Sequence, residues 1–246
     1  MLKVFNCDLH IHTCLSPCAD LDMHPSALVE RALDAKLDLI AICDHNSSEN
    51  VQYVIKAALN KNIKILPGME VTTSEEVHVL AIFDNLPDLL KLQEIIYAHL
   101  PGENNEKRFG VQAIVNENAE VEGLSDRLLI GATDLSLDTV ISHIHQHNGL
   151  AIASHIDHEN FSVLSQLGFI SEDMHFDALE ISAAMGIKEA RKKYKELNKY
   201  SFITSSDAHY LKDIGTSIIK CNFEKPSFSE LKMAFSNENG RCVLEQ

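Results

Sequence analysis

Short apolar runs that stop at an acid or a histidine recur along this chain, and they restrict its fold more than any single motif does. Asp38–Cys43 halts at Asp44-His45-Asn46, Leu150–Ser154 at His155-Ile156-Asp157-His158, and Ser201–Ser205 leads into Ser206-Asp207-Ala208-His209. The opening strand, about Lys3–Ile11, arrives at Asp8-Leu9-His10-Ile11-His12-Thr13 in the same way. Ile63–Leu66 precedes Pro67-Gly68-Met69-Glu70, and the alternating run Val77–Phe83 carries His78. Asp177–Ser182 and Ile214–Phe223 complete the predicted strands.

Between these runs the apolar spacing turns helical. Pro25 suits a first helical turn and is followed by Leu28, Val29, Ala32 and Leu33; helices are also predicted over about Glu49–Asn60, Leu86–Leu100 and Asp138–Asn148, the last capped by Gly149. Phe161–Leu167, the basic stretch Glu189–Lys199 and Ser227–Ser236 follow. Pro101–Arg108 reads as a mobile polar loop, Phe109–Leu135 has no readable period, and Gln112–Val121 is open to either helix or strand. Short strands alternating with helices imply βαβ units and a parallel sheet.

A chain of 246 residues is long enough for one large α/β barrel or two small domains. No stretch resembles a signal peptide or a membrane span, so a cytoplasmic location and no membrane partner are expected. The six cysteines are expected to be reduced thiols, and Cys14-x-x-x-Cys18 lacks the second pair that a zinc ribbon needs. A formal charge of −15 argues against general affinity for nucleic-acid phosphates, although a metal centre with its own positive charge would still attract a small anionic substrate.

In a parallel barrel every strand's C-terminal end opens onto one face, which makes neighbours of residues distant in sequence. The groups collected there are His10, His12, Asp20, His45, Glu70, His78, His155, Asp207 and His209. His10 and His12, two apart on a strand, project from the same face. Nine imidazole and carboxylate donors exceed one ion's shell and suit two or three divalent ions such as Zn, Mn or Fe. Asp8 and Asp44 are expected to support ligand imidazoles. On a helix only His143 and His147 of the tract His143, His145, His147 share a face, and all three read as surface residues; His24, His99 and His175 carry no motif.

His10-x-His12, Asp44-His45, Gly68-x-Glu70 followed by His78, Ser154-His155 and Ser206-Asp207-Ala208-His209 resemble, in order, the motifs of the polymerase and histidinol phosphatase (PHP) family. The resemblance implies a distorted (β/α)7 barrel of mostly parallel strands, with residues 1–246 forming a single PHP domain. It implies three ions: one held by His10, His12, Glu70 and Asp207, a second by Asp20, His45 and His209 with Asp207 bridging, a third by Glu70, His78 and His155. Where many family members read Ser-Asp-Gly, this chain has Ser16-Pro17-Cys18-Ala19-Asp20-Leu21-Asp22; counting back from Pro25 selects Asp20, with Asp22 the alternative.

The expected activity is hydrolysis of a phosphate ester by a hydroxide held between metal ions, attacking phosphorus in line. His209, a metal-held water or His158 would supply the proton to the leaving group, and His158 could also reach a substrate phosphate. The acidic chain favours a small phosphorylated metabolite or nucleotide over an exonuclease acting on single-stranded nucleic acid ends, where nucleic acid enters only as substrate. A non-catalytic, metal-binding regulatory barrel is the rival from another class.

Overall fold

The computed structural model describes every residue except Glu172, Glu245 and Gln246. The elements alternate from the start: β1 (Lys3–Ile11), α1 (Pro25–Asp34), β2 (Leu39–Ile42), α2 (Val51–Ala57), β3 (Lys64–Thr72), β4 (His78–Ile82) and α3 (Leu86–Ala98). A compact insertion follows, with α4 (Glu106–Phe109) and a hairpin of β5 (Ala113–Val115) and β6 (Val121–Leu124). The alternation resumes with α5 (Leu137–Gln146), β7 (Leu150–Ala153), α6 (Val163–Leu167), β8 (Ala178–Glu180), α7 (Gly186–Lys193), β9 (Ser201–Ile203), β10 (Ile219–Phe223), α8 (Phe228–Phe235) and β11 (Cys242–Leu244).

The large sheet runs β11-β10-β1-β2-β3-β4-β7-β8-β9. Pairing directions place β1, β2, β3, β7, β8, β9 and β11 one way, with β4 and β10 reversed. The sheet curls so that the segment after β9 returns to the end of β1: Ile11 bridges Ala208, and the His12 amide donates to the Ala208 carbonyl at 3.0 Å. The result is a nearly closed barrel of mostly parallel strands, as expected from the sequence.

Side chains alternate across each strand, so the barrel separates two apolar layers. Cys7, Leu9, Leu39, Ala41, Leu66, Leu80, Ile152, Ala178 and Ile203 fill the interior. Ile40, Ile42, Val79, Ala151 and Leu179 face the surrounding helices, where they meet Leu28, Val29, Val54, Leu92 and Ile144. All six cysteines are free, with Cys7, Cys43 and Cys221 inside the barrel layer. Among the described residues no helix is long and apolar enough to cross a membrane.

Three local expectations change. Pro67-Gly68 does not end a strand: β3 runs through it, pairing parallel with β2 up to Pro67 and antiparallel with β4 from Gly68. A side chain at 68 would stand 2.9 Å from the Ile42 carbonyl and 3.0 Å from Cys43 Sγ, so glycine permits the close crossing. The left-handed residue after α5 is Asn148 (φ 63°), while Gly149 is required because a Cβ there would lie 2.6 Å from the Phe83 ring. The unreadable insertion is a hairpin of strands too short to show a period, and Glu103 bridges Arg127 beside it.

Candidate metal centre

Four strand ends and the loop after β9 converge on one carboxylate, Glu70. Its position follows from the crossing at Gly68, which brings β3 against both neighbours, and His45 forms an isolated parallel bridge with Glu70. Around it His78 Nδ1 lies 3.0 Å from Oε1, His45 Nδ1 3.1 Å from Oε2, His10 Nε2 3.4 Å and His155 Nε2 3.5 Å from Oε1, and His12 Nε2 3.5 Å from Oε2. Asp207 Oδ1 sits 3.4 Å from His10 Nε2, 3.3 Å from His12 Nε2 and 3.7 Å from His209 Nδ1. His10, His12, His45, Glu70, His78 and His155 are all buried.

The ring orientations are set from behind. Glu180 Oε2 accepts from His10 Nδ1 at 3.0 Å and from the His155 amide at 3.1 Å. Ser16 Oγ donates to Asp44 Oδ1 at 2.6 Å, so it accepts from His12 Nδ1 at 2.9 Å and from the His45 amide at 3.2 Å. His209 Nδ1 donates to the Asp207 carbonyl at 2.8 Å. With each Nδ1 proton committed, the Nε2 atoms of neutral His10, His12 and His209 carry bare lone pairs.

Several backbones here are strained. His155 (φ 27°), Asp207 (φ 49°) and Asn46 (φ 47°) occupy the left-handed region, at a cost of about 1–3 kcal/mol each. Hydrogen bonds hold them: Asn46 donates its amide side chain to the Leu129 and Gly131 carbonyls, and the Asn46 amide reaches the Glu70 carbonyl. Asp8 accepts from the Ser206 and Gly215 amides, so it anchors the Asp207 loop. Of the two carboxylates expected to support imidazoles, Asp44 acts through Ser16 while also accepting from Thr13 N and Oγ1, and Asp8 holds backbone instead.

Charge accumulates to match. Burial would depress the His10 imidazole, yet the Asp207, Glu180 and Glu70 carboxylates outweigh it and hold the group well above its ordinary range. Burial would likewise raise Glu70, but His78, His10 and His45 hold it well below the usual carboxylate range. Burial together with nearby His12 pushes His209 down to about 4, and burial lowers His45.

A divalent cation fits this donor set. His10 Nε2 and His12 Nε2 face each other at 3.1 Å, an arrangement that is repulsive unless a proton or a metal ion lies between them. His45 Nδ1, His78 Nδ1 and Glu70 Oε1 are buried without a hydrogen-bond partner, a cost that coordination would remove. Among the described residues three groups have donor atoms close enough to share an ion: His12 with His45 and His209, His10 with His12 and Glu70, and His45 with Glu70 and His78.

Asp20 lies apart from these groups, on an exposed loop where its Oδ1 accepts the Asp22 amide at 2.9 Å; its own amide donates to the His209 carbonyl, which ties the loop to the site. His158 is exposed and stacks on His155 with ring centroids 4.5 Å apart. Of the histidines outside the cluster, His24 caps α1, His145 donates to Asp177 at 2.9 Å, and His99 meets Asp134 at 2.7 Å. Sequence reasoning missed Glu180; a charged residue closing the apolar run Ala178–Leu179 was the available signal. The cluster floors a cavity of about 380 Å³ whose wall includes Cys18, Ile130, His158, Glu159, Asn160 and Phe161.

Comparison with known proteins follows the same lines. The PHP domain family profile matches residues 8–201. A 5'-3' exoribonuclease from Haemophilus influenzae is 30% identical over 78 residues, a match spanning 30% of this chain and 27% of that protein. The lesion-specific endonuclease Q of Pyrococcus furiosus superposes with a TM-score of 0.75 at 17% identity, over 98% of this chain and 58% of that one. A candidate metal-dependent phosphoesterase from Bifidobacterium adolescentis gives a TM-score of 0.55 at 17% identity, covering 82% and 87% respectively. This chain therefore spans about a quarter of the exoribonuclease and somewhat over half of endonuclease Q.

Proposed function

The chain belongs to the PHP domain family, whose members are hydrolases of phosphoester bonds, and on that premise we propose that it hydrolyses a small phosphorylated metabolite or nucleotide with the aid of two or three divalent ions. The observation that carries the reading is the convergence of six imidazoles on Glu70 and Asp207 at the floor of a cavity of about 380 Å³, a volume that suits a single small ligand. His10, His12, His45, Glu70, His78, His155, Asp207 and His209 would hold Zn, Mn or Fe ions, and Asp20 would join them only by swinging its exposed side chain inward. Bound there, such ions supply Lewis acidity toward phosphoryl oxygens and acidify water.

The protein's own contribution is orientation and charge. Glu180 and Ser16 hold the His10 and His12 rings in orientation through Nδ1, so that once the Nε2 proton of His10 is displaced by a metal both Nε2 lone pairs point inward. Asp207 and His209 keep their mutual geometry through the His209 Nδ1 bond to the Asp207 carbonyl. His158, stacked on His155, lines the cavity and would serve as a donor to a phosphoryl or leaving oxygen bound there.

A second reading, cleavage at the end of a single strand, is favoured by the similarity to an exoribonuclease, while the complex of endonuclease Q with a 27-mer duplex substrate bears only on nucleic acid as a substrate class. Against it, none of the cavity's described lining residues is Lys or Arg, which a polyphosphate track would need. The test is turnover by the Mn- or Zn-loaded protein of p-nitrophenyl phosphate, nucleoside monophosphates and short oligonucleotides. Hydrolysis of monoesters supports the first reading and of oligonucleotides alone the second. Metal-loaded protein inert toward all three would leave the regulatory barrel.

A further inference from the structure

Resting on the reading of the site as a phosphoesterase, we propose that Phe161 is a stacking platform for a nucleobase, so that the substrate's phosphate is carried on a nucleoside rather than on a simple sugar or alcohol.

Three features of Phe161 point the same way. Its backbone is left-handed (φ 56°), a conformation that is strained for a bulky residue. The strain is held by neighbours on both sides: the Phe161 carbonyl accepts the His78 amide at 2.9 Å, and the next residue, Ser162, caps α6 while donating to the His158 carbonyl at 2.7 Å. The ring lies flat on the His78 imidazole, with centroids 4.7 Å apart and planes 15° apart. Yet the residue stays 41% exposed at the wall of the metal cavity. Exposure alone would not distinguish it, since Phe109 and Phe169 are exposed as well; what does is that the ring is fixed on His78 and lines the metal cavity.

The surroundings select what would cover it. Ile130, 36% exposed, supplies a further apolar surface on the cavity wall. Glu159, two residues before the ring, adds negative charge, and no Lys or Arg stands among the described lining residues to bind a second phosphate. Beyond the phosphate, therefore, the cavity disfavours a further anion and offers a planar, uncharged group the faces of Phe161 and Ile130, with Glu159 and Asn160 beside them as hydrogen-bond partners. Flat π faces stack on an aromatic ring whatever the base, which would give breadth across nucleosides.

Calorimetric binding of AMP and of ribose 5-phosphate to the metal-loaded protein tests this, with turnover and metal content measured on the same preparations. Wild type is expected to bind AMP at least about tenfold more tightly than ribose 5-phosphate. Phe161→Ala should reduce that preference to within about twofold, and Phe161→Trp should retain it. Equal affinity of the two ligands in wild type, no measurable AMP binding, or an equal weakening of both in Phe161→Ala accompanied by metal loss would overturn the proposal; the last would make the ring a mere prop for His78. Preferential AMP binding without hydrolysis of any ester would instead count against the phosphoesterase reading while leaving the platform standing.

Discussion

Glu180 joins two metal-type ligands from different strands through a single oxygen: its Oε2 accepts from His10 Nδ1 at 3.0 Å and from the His155 amide at 3.1 Å. The carboxylate is buried, and its other oxygen has no partner. It orients one imidazole and stabilises the strained backbone of another. Replacing it by Gln keeps an acceptor of similar shape but removes the charge that makes His10 a stronger donor. Apparent affinity for Mn or Zn, measured by competition with a chelator, should fall about 10- to 100-fold in Glu180→Gln. Unchanged affinity would show that the carboxylate is dispensable to the site.

Asp44 ties the first loop down by accepting from Thr13 N and Oγ1 and from Ser16 Oγ, all within 2.7 Å. Asp44→Ala leaves those donors unpaired in a buried place, at about 1–3 kcal/mol per lost partner before relaxation. Urea unfolding of metal-free protein should show a loss of roughly 3 kcal/mol or more, and Ser16→Ala a smaller one. A loss below about 1 kcal/mol in Asp44→Ala would mean that water replaces the carboxylate.

Gly68→Ala tests the strand crossing. A methyl group there meets the Ile42 carbonyl at 2.9 Å, the Ala81 carbonyl at 3.0 Å and Cys43 Sγ at 3.0 Å, two of them backbone atoms that cannot swing away. Overpacking of this kind costs about 1–3 kcal/mol. Because Glu70 lies two residues on along β3, metal affinity should fall together with stability. Loss of stability with full metal affinity would separate the crossing from the placement of Glu70.

The pH dependence of stability should carry the mark of Glu230. Its carboxylate accepts from Arg241 Nε and Nη2, at 3.1 Å each, and from the Glu224 amide at 2.8 Å. Arg241 holds it below the ordinary glutamate range. A folded-state value below the unfolded one, about 4.3, means that the stabilisation is fully present above that pH and is lost as pH falls through the depressed folded value. The gap in urea midpoint between metal-free wild type and Glu230→Gln should therefore be widest near neutrality and narrow in acid. A gap that does not change with pH would contradict the assignment.

The barrel and the convergence of the site were legible because both rest on repetition: apolar strands, each stopping at His12, His45, His155 or Asp207, can be brought together only by a parallel arrangement. Glu180 follows the same rule but stands alone, without a neighbouring histidine to draw notice. The crossing at Pro67-Gly68 was hidden because both residues ordinarily end strands, and only the neighbouring strands reveal that β3 needs a residue without a side chain there. The hairpin at 113–124 was opaque because strands of three and four residues are shorter than any readable period. Phe161 gave no signal at all, since its meaning lies in a positive φ and in the His78 ring beneath it.

The central claim, that these residues form a catalytic metal centre, is tested most directly by elemental analysis of wild type and His10→Ala purified side by side, each also assayed on p-nitrophenyl phosphate. The account predicts at least two divalent ions per wild-type chain, fewer in the variant, and a loss of activity that tracks the loss of metal. Equal metal content in the two proteins would contradict it.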